Sequence, residues 1–287
     1  MLADLARARS RARALTQRYG VTAPQHIMIE GFTHRLGLKL SLAALQGSKG
    51  ALISRPGRPS EIVVSDRVTD PGERRFTIAH ELGHYVLEHP PLPIDRMCNP
   101  LIHAPDAPED PEELEADAFA AELLMPAPLV RSACELGWPS IDAALRIAHT
   151  FGVSTLAAAV RYVELTETAC AIILSERGQV RRFACTSAFP GRVAPGRAVD
   201  RRSAAWDYFD RDELLRPGVR HLPASAWLDG VGKLPLMENS IASHERGTVL
   251  TMLWVPALPI AVCADAAIAI EDEISTVRLR PLRHRSA

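Results

Sequence analysis

Two histidines and a glutamate, in His80-Glu81-Leu82-Gly83-His84, carry the most legible chemistry of this chain. On an α-helix, residues four apart share one face about a turn apart. Both imidazoles then reach a single metal ion while Glu81 stands beside its open coordination position. The flanks Phe76-Thr77-Ile78-Ala79 and Tyr85-Val86-Leu87 are uncharged and free of proline, as expected of a buried helix that faces a cleft. The spacing predicts half of a hydrolytic zinc site, with Glu81 as the general base that takes a proton from the attacking water and passes it to the leaving amine.

A catalytic zinc takes three protein ligands. The arrangement with a third histidine on the same segment requires glycine at 87 and histidine at 90, and the chain has Leu87 and Pro90, so the third ligand must come from another helix. Glu113 is the preferred residue. In Glu113-Leu114-Glu115-Ala116-Asp117 the first and last carboxylates share a helical face, and Ala116 and Ala120 are small enough to let that helix approach the first. Asp117 is then placed to accept the outer N–H of a metal-bound histidine, an interaction that fixes the ring. The competing assignment keeps Glu113 as a capping residue for Asp110 and gives the metal to Glu115. His89, His103 and Cys98 are weaker candidates, since all lie in or beside the loop between the two helices.

The elements that must position these residues have clear punctuation. Asp70-Pro71-Gly72-Glu73 supplies an N-cap, a first-turn proline and a capping-box glutamate, so a helix carrying both histidines should start there and stop at Pro90-Pro91. Asp110-Pro111-Glu112-Glu113 repeats the signal for a helix that Pro126 closes. Ahead of them, residues 2 to 19 read as a helix, 27 to 42 as a helix followed by a short strand, and 50 to 54 and 61 to 65 as strands joined by a turn. Residues 139 to 165 form two short helices broken at Phe151-Gly152-Val153-Ser154, a helix-turn-helix-like pair. Strand-like runs follow at 169 to 175, 180 to 186, 248 to 255 and 260 to 264, with a helix near 203 to 215. The expected fold is α+β in three parts. Residues 1–138 form a metallopeptidase-like unit, 139–166 a helical segment and 167–287 a C-terminal α+β domain.

Composition narrows the classes. A chain of 287 residues with 47% hydrophobic residues can bury a sizeable core. A formal charge of -1 supplies no general attraction to nucleic acid or anionic membrane. Five scattered cysteines without a Cys-x-x-Cys pair argue against a disulfide framework or zinc knuckle. The sequence lacks an uncharged apolar run of eighteen residues and a secretory leader pattern, so a cytoplasmic location without membrane association is expected.

Arg74-Arg75-Phe76-Thr77-Ile78-Ala79-His80-Glu81-Leu82-Gly83-His84, followed by Glu113-x-x-Ala116-Asp117-x-Phe119-Ala120-Ala121-x-Leu123-Leu124-Met125-Pro126, resembles the ImmA/IrrE family of bacterial zinc metalloendopeptidases over about residues 25 to 165. The resemblance implies that His80, His84 and Glu113 ligate zinc and that Glu81 is the catalytic glutamate. It also implies a zincin-like core whose small sheet receives the substrate chain at an edge strand. Family members cut helix-turn-helix repressors and thereby induce DNA-damage or mobile-element genes. The radiation-response branch adds a helix-turn-helix segment and a GAF-like C-terminal domain; residues 139 to 165 and 167 to 280 occupy the corresponding places, and an unrelated α+β module is the other reading of the C-terminal part.

Two functional classes compete: a repressor-cleaving endopeptidase, and a DNA-binding or signal-sensing regulator whose zinc site is not catalytic. The second short helix, Thr155-Leu-Ala-Ala-Ala-Val-Arg161-Tyr-Val-Glu-Leu165, is too apolar to read base edges, which favours the peptidase and makes direct nucleic-acid binding unexpected. Arg161 and the tail Arg278-x-Arg280-Pro-Leu-Arg283-His-Arg285 are the residues left for phosphate contacts. The aromatic residues Trp206, Tyr208, Phe209, Trp227 and Trp254 read as core rather than as a ligand pocket. A His2Glu site also accepts Mn2+ or Fe2+ in place of zinc.

Overall fold

The computed structural model describes residues 3–256 apart from 56, 91–109, 135–137, 212–214, 216–217, 232–233, 244 and 246. Cys98, His103, the expected strand at 260 to 264 and the arginine-rich tail lie outside the described residues. The described residues up to Val255 group as one compact unit.

Helix α1 (Leu5–Arg18) is capped by Asp4, whose side chain accepts from the Arg7 N–H, and it buries Ala8, Ala12, Leu15 and Thr16 along one face. That small-residue stripe lets it lie against the second ligand-bearing helix. The span expected as helix plus strand divides into α2 (Ile29–Arg35) and β1 (Lys39–Ala43). Strands β2 (Gly50–Ile53) and β3 (Glu61–Ser65) complete a three-stranded sheet in the order β1-β3-β2. β3 pairs parallel with β1 and antiparallel with β2, which leaves β2 at an edge. Ile62 and Val64 of the central strand are fully buried against the helices.

Helix α3 (Pro71–Leu87) starts where the capping signal placed it, with Asp70 Oδ1 accepting the Glu73 N–H at 2.7 Å. It ends before the proline pair, because Glu88 takes a left-handed conformation at φ 60° and turns the chain back. Helix α4 (Pro111–Leu124) starts on an Asp110 cap that accepts from the Glu112 N–H at 3.0 Å. Pro126 closes α4 as expected, and it also opens α5 (Ala127–Cys134), which the sequence reading did not foresee. Proline has no N–H to donate, but its carbonyl takes the Leu129 and Val130 N–H groups and so starts the next helix.

Helices α6 (Ile141–Phe151) and α7 (Thr155–Leu165) carry side-chain caps at Ser140 and Ser154, and Gly152 turns between them at φ 62°. The two axes are bent by 111°. Within α7 only Glu164 is exposed. Arg161, which the sequence left free for a phosphate, is 1% exposed and forms an ion pair with the equally buried Glu122, while its Nε donates to the Met125 carbonyl at 3.1 Å. The guanidinium therefore works inward, tying α7 to the end of α4. Among the described residues no single helix is long and apolar enough to cross a membrane.

The second sheet is antiparallel throughout, in the order β5-β4-β8-β7-β6. It contains β4 (Cys170–Glu176), β5 (Gln179–Cys185), β6 (Arg220–Pro223), β7 (Pro235–Ser243) and β8 (Thr248–Trp254). Helix α8 (Ala204–Arg211) covers one face; residues 212–214 of the expected helix lie outside the described residues, and Leu215 is not helical. β6 and β7 escaped the sequence reading because proline and the run Glu238-Asn239-Ser240 interrupt any alternation. Alternate residues face opposite ways, as a pleat requires. Cys170, Ile172, Leu250, Met252 and Trp254 join the core formed by the N-terminal helices, whereas Ala171, Ile173, Val249 and Leu253 join a second core with Trp227 and Ala205. The aromatic residues fall in or against these cores, as expected.

Candidate metal centre

Helices α3 and α4 can carry a shared site only if their backbones come close, and Gly83 sets that distance. A Cβ on Gly83 would stand 3.2 Å from both the Cα and the carbonyl oxygen of Ala116. Glycine on one helix and alanine on the other therefore bring His80 and His84 against Glu113.

The resulting cluster is tight. The Nε2 atoms of His80 and His84 are 3.0 Å apart, and Glu113 places Oε2 at 3.1 Å from His80 Nε2 and Oε1 at 3.4 Å from His84 Nε2. One ligand atom from each residue lies within 4.8 Å of the other two. Donors arranged tetrahedrally around a zinc-sized ion at about 2.0–2.1 Å stand about 3.3 Å from each other, so this donor set fits one divalent cation. Of the two carboxylates weighed from the sequence, Glu113 faces both imidazoles and Glu115 turns away to His89.

Asp117 Oδ1 lies 2.8 Å from His80 Nδ1. A carboxylate oxygen only accepts, so His80 carries its proton on Nδ1 and aims the Nε2 lone pair into the cluster. His84 is supported by a residue the sequence ranked low: His89 Nδ1 lies 2.9 Å from His84 Nδ1, and His89 Nε2 lies 3.2 Å from Glu115 Oε2. No spacing rule could have found this contact, because His89 lies beyond the helix end and returns only through the left-handed turn at Glu88.

The electrostatics favour positive charge at this point. Burial opposes a proton on His80, but hydrogen bonds to Asp117 and Glu113, with the charge of Glu81, push its pKa up to about 10. Burial likewise opposes ionisation of Glu113, yet the two imidazoles hold its carboxyl well below the usual carboxylate range. A cluster that stabilises one positive charge so strongly suits a metal cation that displaces the proton.

Glu81 is 8% exposed. Burial raises its pKa, and Glu113 adds to the rise, while His80, His84 and the Leu52 backbone pull it back. A raised carboxylate is the kind suited to accepting a proton near neutral pH. Space for it comes from Gly50 at the start of β2, where a Cβ would stand 2.8 Å from Glu81 Oε1 and 2.5 Å from Thr77 Cγ2. Glu81 thus packs directly against the edge strand.

Residues 33–162 match the model of the IrrE N-terminal-like domain, a peptidase family. Ten chains of solved structure are similar. One is described as a Mycobacterium tuberculosis transcriptional regulator, with 14% identity and a TM-score of 0.56, and the alignment covers 89% of this chain and 77% of that one. At that identity the likeness speaks to the fold alone. No curated protein matches significantly. Both helices of the cluster lie inside the matched span, so residues 33–162 of this chain carry an IrrE N-terminal-like domain of the peptidase M78 type.

Proposed function

We propose that the chain is a zinc-dependent endopeptidase that cleaves a helix-turn-helix transcriptional repressor and so induces stress or mobile-element genes. The observation that carries this reading is the convergence of His80, His84 and Glu113 within reach of one cation, with the buried Glu81 one residue on from His80. A zinc ion held by these three side chains would supply Lewis acidity towards a peptide carbonyl and lower the pKa of water. His80 and Glu113 present their donor atoms in fixed orientations, His80 being locked by Asp117. Glu81 accepts the proton of the attacking water and returns it to the amine as the C–N bond breaks. The edge strand β2, next to Glu81, is where an extended substrate segment would bind as an added strand.

By the resemblance noted from the sequence, the segment at 139–166 and the region from 167 onward correspond to a helix-turn-helix segment and a GAF-like sensor that would govern when the peptidase acts. The setting proposed is the bacterial cytoplasm, with a protein substrate and no membrane partner. The DNA-binding reading gains no support from α7, whose polar residue Arg161 points into the core.

The test is digestion of a co-encoded helix-turn-helix repressor by the wild-type protein and by Glu81→Gln. The variant is expected to lose roughly 100- to 10,000-fold of the cleavage rate while keeping its metal. Equal cutting by both would remove Glu81 from the chemistry.

A further inference from the structure

We infer that His89 and Glu115 form a second orienting arm of the metal centre, which ties the ligand His84 to the N-terminal helix α1; this rests on the reading of His80, His84 and Glu113 as metal ligands. The arm is a chain of hydrogen bonds with one consistent polarity. Glu115 Oε2 lies 3.2 Å from His89 Nε2, and a carboxylate oxygen only accepts, so His89 carries its proton on Nε2. Its Nδ1 is then an acceptor, and the proton in the 2.9 Å contact between the two Nδ1 atoms belongs to His84. His84 is left with its lone pair on Nε2, the atom 3.0 Å from His80 Nε2. Asp117 reaches the same result for His80 directly, whereas His84 is reached through an intervening imidazole.

The arm is anchored at its far end. Glu115 Oε1 accepts the Asp4 N–H at 2.8 Å, and Arg7 places Nη1 at 3.8 Å from Glu115 Oε2 while its Nη2 donates to the Leu87 carbonyl at 2.7 Å. The side chains of His89 and Glu115 are only 6% and 10% exposed, so water does not substitute easily for either contact. The backbone carries the cost of the arrangement. Glu88 sits at φ 60°, a region that L-residues other than glycine and asparagine rarely adopt, and the His89 N–H closes onto the His84 carbonyl at 3.0 Å. That turn is what stacks the His89 ring edge-on against His84, with centroids 5.0 Å apart.

The arm makes three kinds of variant behave differently. Glu115→Gln keeps the shape but replaces one acceptor oxygen with a donor, so either the Asp4 N–H or His89 Nε2–H faces another N–H. His89→Leu removes the arm. His89→Gln preserves its polarity, since an amide accepts with oxygen and donates with nitrogen. We expect Glu115→Gln and His89→Leu to weaken binding of Zn2+, measured by competition with a chromogenic chelator, by ten- to a hundredfold. His89→Gln should stay within about threefold of wild type. Loaded with Co2+, the first two should show altered visible absorption and His89→Gln a near-native spectrum. Folding of each metal-free variant is checked by its far-ultraviolet dichroism, and His89→Gln serves as the folded reference. Native affinity and spectrum in both His89→Leu and Glu115→Gln would overturn the arm while leaving the three-ligand centre intact. Native zinc affinity in His80→Ala would instead remove the centre itself and the arm with it.

Discussion

Gly83 lies against Ala116 so closely that a methyl group fits between the two helix backbones only if its neighbours give way: an added Cβ meets the Ala116 Cα and carbonyl oxygen at 3.2 Å and the Phe119 ring at 3.1 Å. This contact, inside the His-Glu-x-x-His motif itself, sets the separation of the two ligand-bearing helices. Gly83→Val is expected to push α3 and α4 apart, destabilise the fold by about 1–3 kcal/mol through overpacking, and lower zinc affinity at least tenfold. Chemical denaturation with a parallel chelator competition measures both, and unchanged zinc affinity would show that the helix separation does not matter.

Gly50 performs the same service for Glu81. A methyl group there would overlap Thr77 Cγ2 at 2.5 Å and Glu81 Oε1 at 2.8 Å. The Glu81 carboxylate is the movable neighbour, so Gly50→Ala should displace it, lowering kcat on the proposed repressor substrate at least tenfold. Zinc affinity should change little, because none of the three donor atoms is touched. A variant with normal kcat would place the productive position of Glu81 away from β2.

Arg161 and Glu122 form a buried pair whose loss is not symmetrical. Arg161→Met leaves the buried Glu122 carboxylate without its cation, keeping the Ala127 N–H at 3.4 Å, and is expected to cost about 3–5 kcal/mol, whereas replacing both with apolar residues of similar volume should recover most of it. Urea unfolding of the single and double variants decides this. An equally large loss in the double variant would mean that shape, rather than the stranded charge, is responsible.

Glu238, on β7, is fully buried and caps α8. Its Oε2 accepts the Ala204 N–H at 3.0 Å, and its Oε1 accepts from Trp227 Nε1 at 3.2 Å. Burial raises its pKa to about 7, against the pull of those two donors and of Arg220 and with a smaller push from Asp207. The folded state therefore holds a proton that the unfolded state has released between about pH 4.5 and 7. Stability from this group is complete below the lower value and falls as pH rises through the upper one, by roughly 3 kcal/mol in all. Denaturation curves at pH 5 and pH 8 should show that decline, and Glu238→Leu should flatten it. A slope unchanged by the substitution would assign the effect to another group.

Much of the centre was legible before any coordinates. Capping signals at Asp70 and Asp110 placed the starts of α3 and α4 correctly, because an N-cap is a local interaction between a side chain and the next turn. Periodicity put His80 and His84 on one face and Glu113 and Asp117 on another for the same reason. Local signals failed where the determinant was distant. β7 buries Glu238 only because α8 and Trp227 supply its donors, and Arg161 looks like a free cation until Glu122, from a helix 39 residues earlier, meets it in the core.

The sequence by itself thus determined the chemistry on offer: two imidazoles one turn apart, a glutamate beside them, and a carboxylate-bearing helix to complete the set. Those are consequences of helical geometry, which any isolated segment carries. Tertiary structure alone decided that Glu113 rather than Glu115 faces the imidazoles, that Gly50 makes room for Glu81, and that His89 turns back to support His84. Each depends on the distance between elements far apart in the chain, and packing sets that distance to within the width of a methyl group.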